Sequence, residues 1–161
     1  MDGEAVTVNM GAIEVVTDGR SLRTILGSCV GVIFRDKDRQ VSGLAHIMLP
    51  ERRRSDGVEG KYADTAIPAL LSRLEASGCR IGALEALLIG GAQMFASENT
   101  TIGTIGDQNV DAVRRILDQL KIPIIYEDTG GRAGRTVVFE SSSGKVTVKT
   151  LQVADANVPP D

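Results

Sequence analysis

The residues of this chain best suited to covalent chemistry are one cysteine and one histidine in its first third. Cys29 follows Gly27 and Ser28, and His46 is the only histidine among the 161 residues. A free thiol, with a pKa of about 8.5, is mostly protonated at neutral pH, and a neighbouring imidazole can take its proton to give an ion pair with a nucleophilic thiolate. The two residue types therefore indicate nucleophilic catalysis, provided that the fold brings them together.

A β-hairpin would bring the two side chains together. Two apolar strand candidates flank a polar four-residue loop between Cys29 and His46. If Arg35 pairs with Gln40, Cys29 lies directly opposite His46, where antiparallel neighbours have Cβ atoms roughly 4.5 to 5.5 Å apart. A slip of one residue would move His46 to the other face, so this prediction depends on the assumed loop length.

Each of these residues also has a structural interpretation. Cysteine is among the most buried residue types, and a single histidine is more often a hydrogen-bonded core residue than a catalytic one. Gly27 and Ser28 permit a tight turn that would leave backbone N–H groups free to bind an oxyanion, although they could serve the turn alone. Cys79 follows the helix-ending Gly78 and has no second histidine to pair with, so we interpret it as structural.

Hydrophobic periodicity predicts an α/β domain. One helix is expected from Asp64 and ends near Gly78, and a second is expected from about Asn109, with Asp107 or Asn109 capping its first turn. Strands alternate with these helices in the middle of the chain and form hairpins at both ends, which indicates a layered α/β sandwich with a mixed sheet. Seven strands are predicted, at residues 12–16, 30–35, 41–48, 85–89, 124–127, 136–140 and 146–151.

The composition is that of one soluble domain. We expect the domain at residues 1–153 and a disordered tail at residues 154–161. The net charge of −3 and a single short basic run make nucleic acid an unexpected partner. No secretion signal or long apolar run is recognised, so a cytoplasmic location is expected. One histidine and two distant cysteines do not complete a zinc site, and neither a metal nor an organic cofactor is expected.

Several segments of the chain resemble the CheD family of chemoreceptor glutamine deamidases. They occur in the family's order over about residues 12–151, so the resemblance covers nearly the whole domain. The most specific segments are Gly27-Ser28-Cys29, His46-Ile47-Met48-Leu49-Pro50 and Gly90-Gly91-Ala92-Gln93-Met94-Phe95; the others are Tyr62-Ala63-Asp64, Ile105-Gly106 with Asn109, and Gly130-Gly131-Arg132 through Arg135.

The resemblance implies both a fold and a reaction. The fold would be similar to the catalytic domain of cytotoxic necrotizing factor toxins, which are also glutamine deamidases. Cys29 would be the nucleophile and His46 the general base, and Thr24 is the nearby candidate for a third catalytic residue. The substrates would be glutamine side chains of methyl-accepting chemotaxis receptors, converted to glutamate to adjust chemotactic adaptation, and a CheC-type phosphatase would be a partner.

The substrate contacts are expected around the catalytic pair. Ser28 lies beside the nucleophile, and Met48, Met94 and Phe95 are soft apolar side chains that suit an irregular helical surface. Each of these apolar residues could also be ordinary core. Two other functions remain open at this point: a general thiol amidase or peptidase, and a module that docks on receptors or on a CheC-type phosphatase without chemistry.

Overall fold

The computed structural model describes residues 5–36, 38–52, 57–94 and 103–151. The two helices in these ranges are α1 (Ala63–Ala76) and α2 (Ile105–Leu120). The strands are β1 (Val6–Thr7), β2 (Ile13–Val16), β3 (Ser21–Leu26), β4 (Val30–Asp36), β5 (Ser42–Ile47), β6 (Leu84–Gly90), β7 (Ile124–Thr129), β8 (Arg135–Glu140) and β9 (Lys145–Thr150). The expected tail at residues 154–161 lies outside the described residues.

Two sheets and two helices form three layers. The central sheet has the order β2-β5-β4-β6-β7 and the outer sheet the order β1-β3-β8-β9. One apolar core joins the central sheet to α1 and α2, and a second core fills the space between the two sheets. Each sheet contains one parallel pair, β6 with β7 and β1 with β3, among antiparallel pairs. The predicted layered α/β sandwich with mixed pairing is confirmed.

The predicted strands all exist, within two residues at each end, but β1 and β3 were missed. Strand β1 is only two residues long. Strand β3 buries the polar Thr24 and exposes the apolar Ile25, so its alternation of hydrophobicity is inverted at the point where a period of two should be clearest. A rule based on apolar alternation cannot find such a strand, and β3 is the strand that carries Thr24.

Helix α2 begins four residues before the predicted start. Thr104 caps it: the Thr104 hydroxyl accepts the Asp107 N–H at 3.1 Å, and the Asp107 carboxylate accepts the Thr104 N–H at 3.3 Å. The first turn has no apolar stripe, because the buried apolar residues of α2 begin at Val110. Asn109, expected as a cap, instead lies inside the helix and is fully buried. Within the described ranges, no helix is long and apolar enough to cross a membrane.

Candidate active site

The β4–β5 hairpin places His46 opposite Gly31, not opposite Cys29. The predicted register was wrong by two positions because β4 continues through Asp36, whose N–H still bonds across the hairpin to the Val41 carbonyl at 3.1 Å. A shift of two residues preserves the alternation of faces. Cys29 and His46 therefore occupy the same face as diagonal neighbours, positions that are typically about 7 to 8 Å apart.

Cys29, His46 and Thr24 all project into the layer between the two sheets. Cys29 is half-buried and packs against the core of that layer. His46 lies two residues after Leu44, a member of the same core, and so shares its face of β5. Thr24 lies between two other members of this core on β3. The fold thus brings the three predicted catalytic residues to one end of one layer, from three different strands or strand ends.

Thr24 holds the imidazole of His46 through a hydrogen bond. The Thr24 Oγ1 atom is 2.8 Å from His46 Nδ1 and donates to the Val8 carbonyl oxygen at 2.6 Å. That carbonyl can only accept, so it takes the single hydroxyl hydrogen of Thr24, and Nδ1 must supply the hydrogen of the other bond. His46 is therefore the Nδ1–H tautomer, and its Nε2 atom carries a free lone pair.

The lone pair of His46 has no partner in the resting protein. His46 is 2% exposed, and its Nε2 atom has no hydrogen-bond partner among the described residues. Burial lowers the pKa of His46 below its ordinary value, an effect that the nearby Val8 carbonyl partly offsets. A buried neutral imidazole with one unpaired nitrogen is a base that has kept its capacity to accept a proton.

The thiol of Cys29 is also neutral at rest. Burial raises its pKa above the ordinary value, and within the described part of the chain its sulfur atom makes no hydrogen bond. Burial thus disfavours the charged form of both groups, and with it the ion pair that the sequence suggested. The resting pair is a thiol and an imidazole.

Two glycines, Gly90 and Gly91, approach the backbone of Cys29 closely. Gly91 donates its N–H to the Cys29 carbonyl at 2.9 Å, and a Cβ atom at Gly90 would stand 2.4 Å from the same oxygen. Gly90 also has a φ of +113°, which side chains rarely adopt. In the described residues, the N–H groups of Ser28 and Cys29 donate to no acceptor. Two amides beside Cys29 are thus free to bind an anionic oxygen.

A buried amide on α2 links the segments that carry Cys29 and His46, and this link was missed from the sequence. The Nδ2 group of Asn109 donates to the carbonyl oxygens of Ser28 at 3.1 Å and Met48 at 3.0 Å. The signal was an asparagine directly before the apolar residue Val110 on the buried face of the helix. A polar residue on that face needs a partner, and here it has two.

The expected substrate contacts are partly brought to the same place. Ser28 and Met48 are half-buried and meet through the Asn109 amide. Met94 lies beside the cysteine turn, with its side chain 3.5 Å from where a Cβ atom of Gly27 would stand. Phe95 lies outside the described residues. Ser28 and Met94 therefore lie at the turn that carries Cys29, whereas Met48 is linked to it only through its backbone carbonyl and has its sulfur atom near Gly11.

A surface cavity of about 370 Å³ opens beside the imidazole. Its lining includes Val8, Thr24 and His46, and its exposed rim includes Met10 and Ile25. Val8 and Thr24, the two partners of His46 Nδ1, are thus both part of its wall. In the described residues, no group of three or more His, Cys, Asp or Glu side chains could hold a metal ion.

Comparison with known proteins gives one consistent family. The model of the family described as CheD, chemotactic sensory transduction, matches residues 48–150. The "Chemoreceptor glutamine deamidase CheD" of Halalkalibacterium halodurans is 41% identical, over 96% of this chain and 99% of its own. The protein of the same name in Bacillus subtilis is 40% identical, over 96% and 98%. A "Probable chemoreceptor glutamine deamidase CheD" of Methanococcus vannielii is 46% identical, over 88% and 92%.

Among solved structures, the match is more distant. The crystal structure of Neisseria meningitidis protein NMB0706 aligns with 78% of this chain and 60% of its own, at 16% identity and a TM-score of 0.45. The sequence relatives, by contrast, are similar from end to end. By its family model and by these full-length relatives, this chain belongs to the CheD family.

Proposed function

We propose that this chain converts glutamine side chains of methyl-accepting chemotaxis receptors to glutamate by cysteine catalysis. Relatives that are 40% and 41% identical over nearly their whole length carry the name chemoreceptor glutamine deamidase. The observation that carries the mechanism is the buried, unpaired Nε2 atom of His46, on the face that also carries Cys29. Thr24 is the third member, because its hydroxyl keeps the ring in the tautomer with a free Nε2.

The first step forms a thioester. The substrate carboxamide enters the layer beside Cys29, and the thiol proton moves to His46 Nε2 as sulfur attacks the carboxamide carbon. The carbonyl oxygen becomes an oxyanion, which the free N–H groups of Ser28 and Cys29 can bind. The imidazolium then gives its proton to the amide nitrogen, the C–N bond breaks, and ammonia leaves.

The second step hydrolyses the thioester. His46 is neutral again and takes a proton from a water molecule as the water oxygen attacks the thioester carbon. The C–S bond breaks, the proton returns to sulfur, and the products are a glutamate side chain and the free thiol. Because both groups are neutral at rest, each step begins from an uncharged pair and creates charge only as the attacking atom bonds to the carbon.

The product explains how the reaction would act on signalling. Each event replaces a neutral side chain of the receptor by a carboxylate, which changes the repulsion between neighbouring helices of the signalling domain. Receptor output and chemotactic adaptation would change accordingly. A CheC-type phosphatase belongs to the same proposal as a second partner, with a cytoplasmic location and contact with the membrane only through receptors.

The substrate would be a folded receptor helix and not free glutamine. The side chain placed beside the cysteine turn is that of Met94, which is apolar and suits the surface of a helix better than the charged ends of an amino acid. Binding energy would therefore come from surface around the glutamine.

The experiment compares ammonia release from three substrates at matched concentration: a receptor cytoplasmic domain, a short peptide around the same glutamine, and free glutamine. We expect a rate at least about tenfold higher on the folded domain, since binding energy from remote contacts is used at the reacting centre. Equal rates on all three substrates would identify a general thiol amidase. Binding of the receptor without any ammonia release would identify a docking module without chemistry.

A further inference from the structure

Asn109 is a buried amide to which the mechanism above gives no task. It lies near the start of α2, is 0% exposed, and donates from Nδ2 to the carbonyl oxygens of Ser28 and Met48. Ser28 directly precedes the nucleophile, and Met48 is two residues after His46. One side chain thus links the segments that carry the two reacting groups.

The orientation of this amide follows from its partners. Both carbonyl oxygens can only accept hydrogen bonds, so they require Nδ2, and the alternative orientation would set Oδ1 against them. In the described residues, Oδ1 is then buried without a hydrogen-bond partner. An unpaired buried acceptor costs free energy. The unpaired Oδ1 atom therefore destabilises the fold, and only the two hydrogen bonds from Nδ2 offset that loss of free energy.

The bond to Ser28 determines where the next N–H points. The peptide group between Ser28 and Cys29 is planar and trans, so its C=O and N–H point in opposite directions. Asn109 draws the carbonyl towards α2, on the helix side of the central sheet. The Cys29 N–H must then point away from the helices, towards the layer that the Cys29 side chain occupies. This N–H is one of the two free amides beside the nucleophile.

We infer that Asn109 is a positioning residue that aims the Cys29 N–H at the oxyanion of the reaction. The hydrogen bond to Ser28 fixes the peptide plane and polarises it, which strengthens the N–H as a donor. The bond to Met48 anchors the same amide to the segment that follows His46. This inference rests on the proposed deamidation, because an oxyanion forms only if a carboxamide is attacked.

The test separates oxyanion binding from the reactivity of the thiol. Asn109→Asp keeps the shape but sets an oxygen against both carbonyls, and Asn109→Ala removes the group altogether. In each folded variant, we expect kcat on the receptor domain to fall about tenfold or more, with KM within about threefold, since loss of one oxyanion donor typically costs about 100- to 1000-fold. Alkylation of Cys29 by iodoacetamide forms no oxyanion, so its rate should stay within about twofold of wild type.

The neighbouring amide on the same helix provides a control. Gln108 donates to the Gly103 carbonyl at 3.2 Å, away from the catalytic segments, and Gln108→Ala should leave kcat unchanged. Deamidation within about threefold of wild type in a folded Asn109 variant would overturn the inference, as would alkylation that falls in step with kcat. An inactive wild-type protein would instead overturn the proposed function.

A measurement on the wild-type protein does not depend on whether the variants fold. The Cys29 amide, having no acceptor, should exchange its hydrogen with solvent at least about tenfold faster than the paired Gly91 amide in an NMR exchange experiment. Equal protection of the two amides would contradict a free Cys29 N–H and overturn the inference.

Discussion

The two buried faces of strand β5 differ in chemistry although they belong to one strand. Towards the helices it presents Ala45 and Ile47, and Gly43 approaches α1 so closely that a Cβ atom there would lie 2.6 Å from a leucine side chain. Towards the second sheet it presents Ser42, Leu44 and His46. The helix side is a continuous apolar core, and the sheet side is apolar only in its middle.

The contrast shows where a small domain can accommodate reactive groups. On the helix side any polar atom would be surrounded by the packed faces of α1 and α2. Between the sheets, strand ends supply carbonyl and hydroxyl groups as hydrogen-bond partners. His46 is therefore hydrogen-bonded to Thr24, and Ser42 to Ser141. Each core also contacts one cysteine: Cys79 is a member of the helix-side core, and Cys29 packs against the sheet-side core.

The largest expected effect is the loss of the sheet-side thiol. Cys29→Ala should abolish deamidation of receptor domain, because the nucleophile is gone, while the circular dichroism spectrum and melting curve stay close to wild type. Cys29→Ser should be nearly as inactive, since a hydroxyl is much harder to deprotonate with one histidine. Residual activity above about 1% of wild type in the alanine variant would assign catalysis to another group.

The next effect concerns the base. His46→Ala should lower kcat by about 100- to 10000-fold and leave KM nearly unchanged, because the imidazole acts in the transition state. Ser42→Ala, on the same strand and face, should keep kcat near wild type. A similar loss of kcat in both variants would show that the polar face of β5 matters only for the fold.

The pH profile of the wild-type enzyme should report the same base. Since burial lowers the pKa of His46 below 6.5, the imidazole is half protonated only at a pH below that value. The value of kcat/KM should therefore fall on the acid side, with a midpoint below pH 6.5. A midpoint above pH 6.5 would contradict the buried neutral imidazole.

A smaller effect is expected at Thr24. Thr24→Val keeps the shape but removes the hydroxyl that accepts from Nδ1, and the Val8 carbonyl, 3.3 Å from Nδ1, remains as a poorer partner. We expect kcat to fall about tenfold, the equivalent of one hydrogen bond of about 1.4 kcal/mol. Thr24→Ser, which keeps the hydroxyl, should recover most of the activity. Equal rates in the two variants would leave Thr24 as an ordinary strand residue.

Elements with regular hydrophobic periodicity were predicted well from the sequence, whereas β3, the strand that carries Thr24, was missed. Both helices and seven strands follow from apolar spacing, since burial on two faces makes the middle of the central strands apolar on both sides. Strand β3 escaped because Thr24 is buried and Ile25 exposed. The inverted pattern exists because the buried position holds a partner of His46.

The candidate site was predictable in its residues but not in its geometry. Cys29 and His46 were identified by type and spacing, and Thr24 by resemblance. Their register required the knowledge that β4 extends through Asp36, whose carboxylate accepts the Asp38 N–H at 2.9 Å, so that the turn begins one residue later than assumed. Asn109 contacts Met48 and Ser28, which precede it by 61 and 81 residues in the sequence. No local sequence pattern can reveal contacts over such separations.

The smallest effect is expected for the helix-side cysteine and completes the comparison of the two cores. Burial raises the pKa of the Cys79 thiol, and the neighbouring Asp36 carboxylate raises it further. Cys79 is 5% exposed, so it should alkylate more slowly than the half-buried Cys29 in the native protein, as mass spectrometry of each peptide would measure. Cys79→Ser can still donate to Asp36 and should keep kcat within about twofold, while the unfolding free energy falls by about 1 kcal/mol through poorer packing. A folded Cys79→Ser protein as inactive as Cys29→Ala would reverse the assignment, since the nucleophile would then belong to the helix-side core.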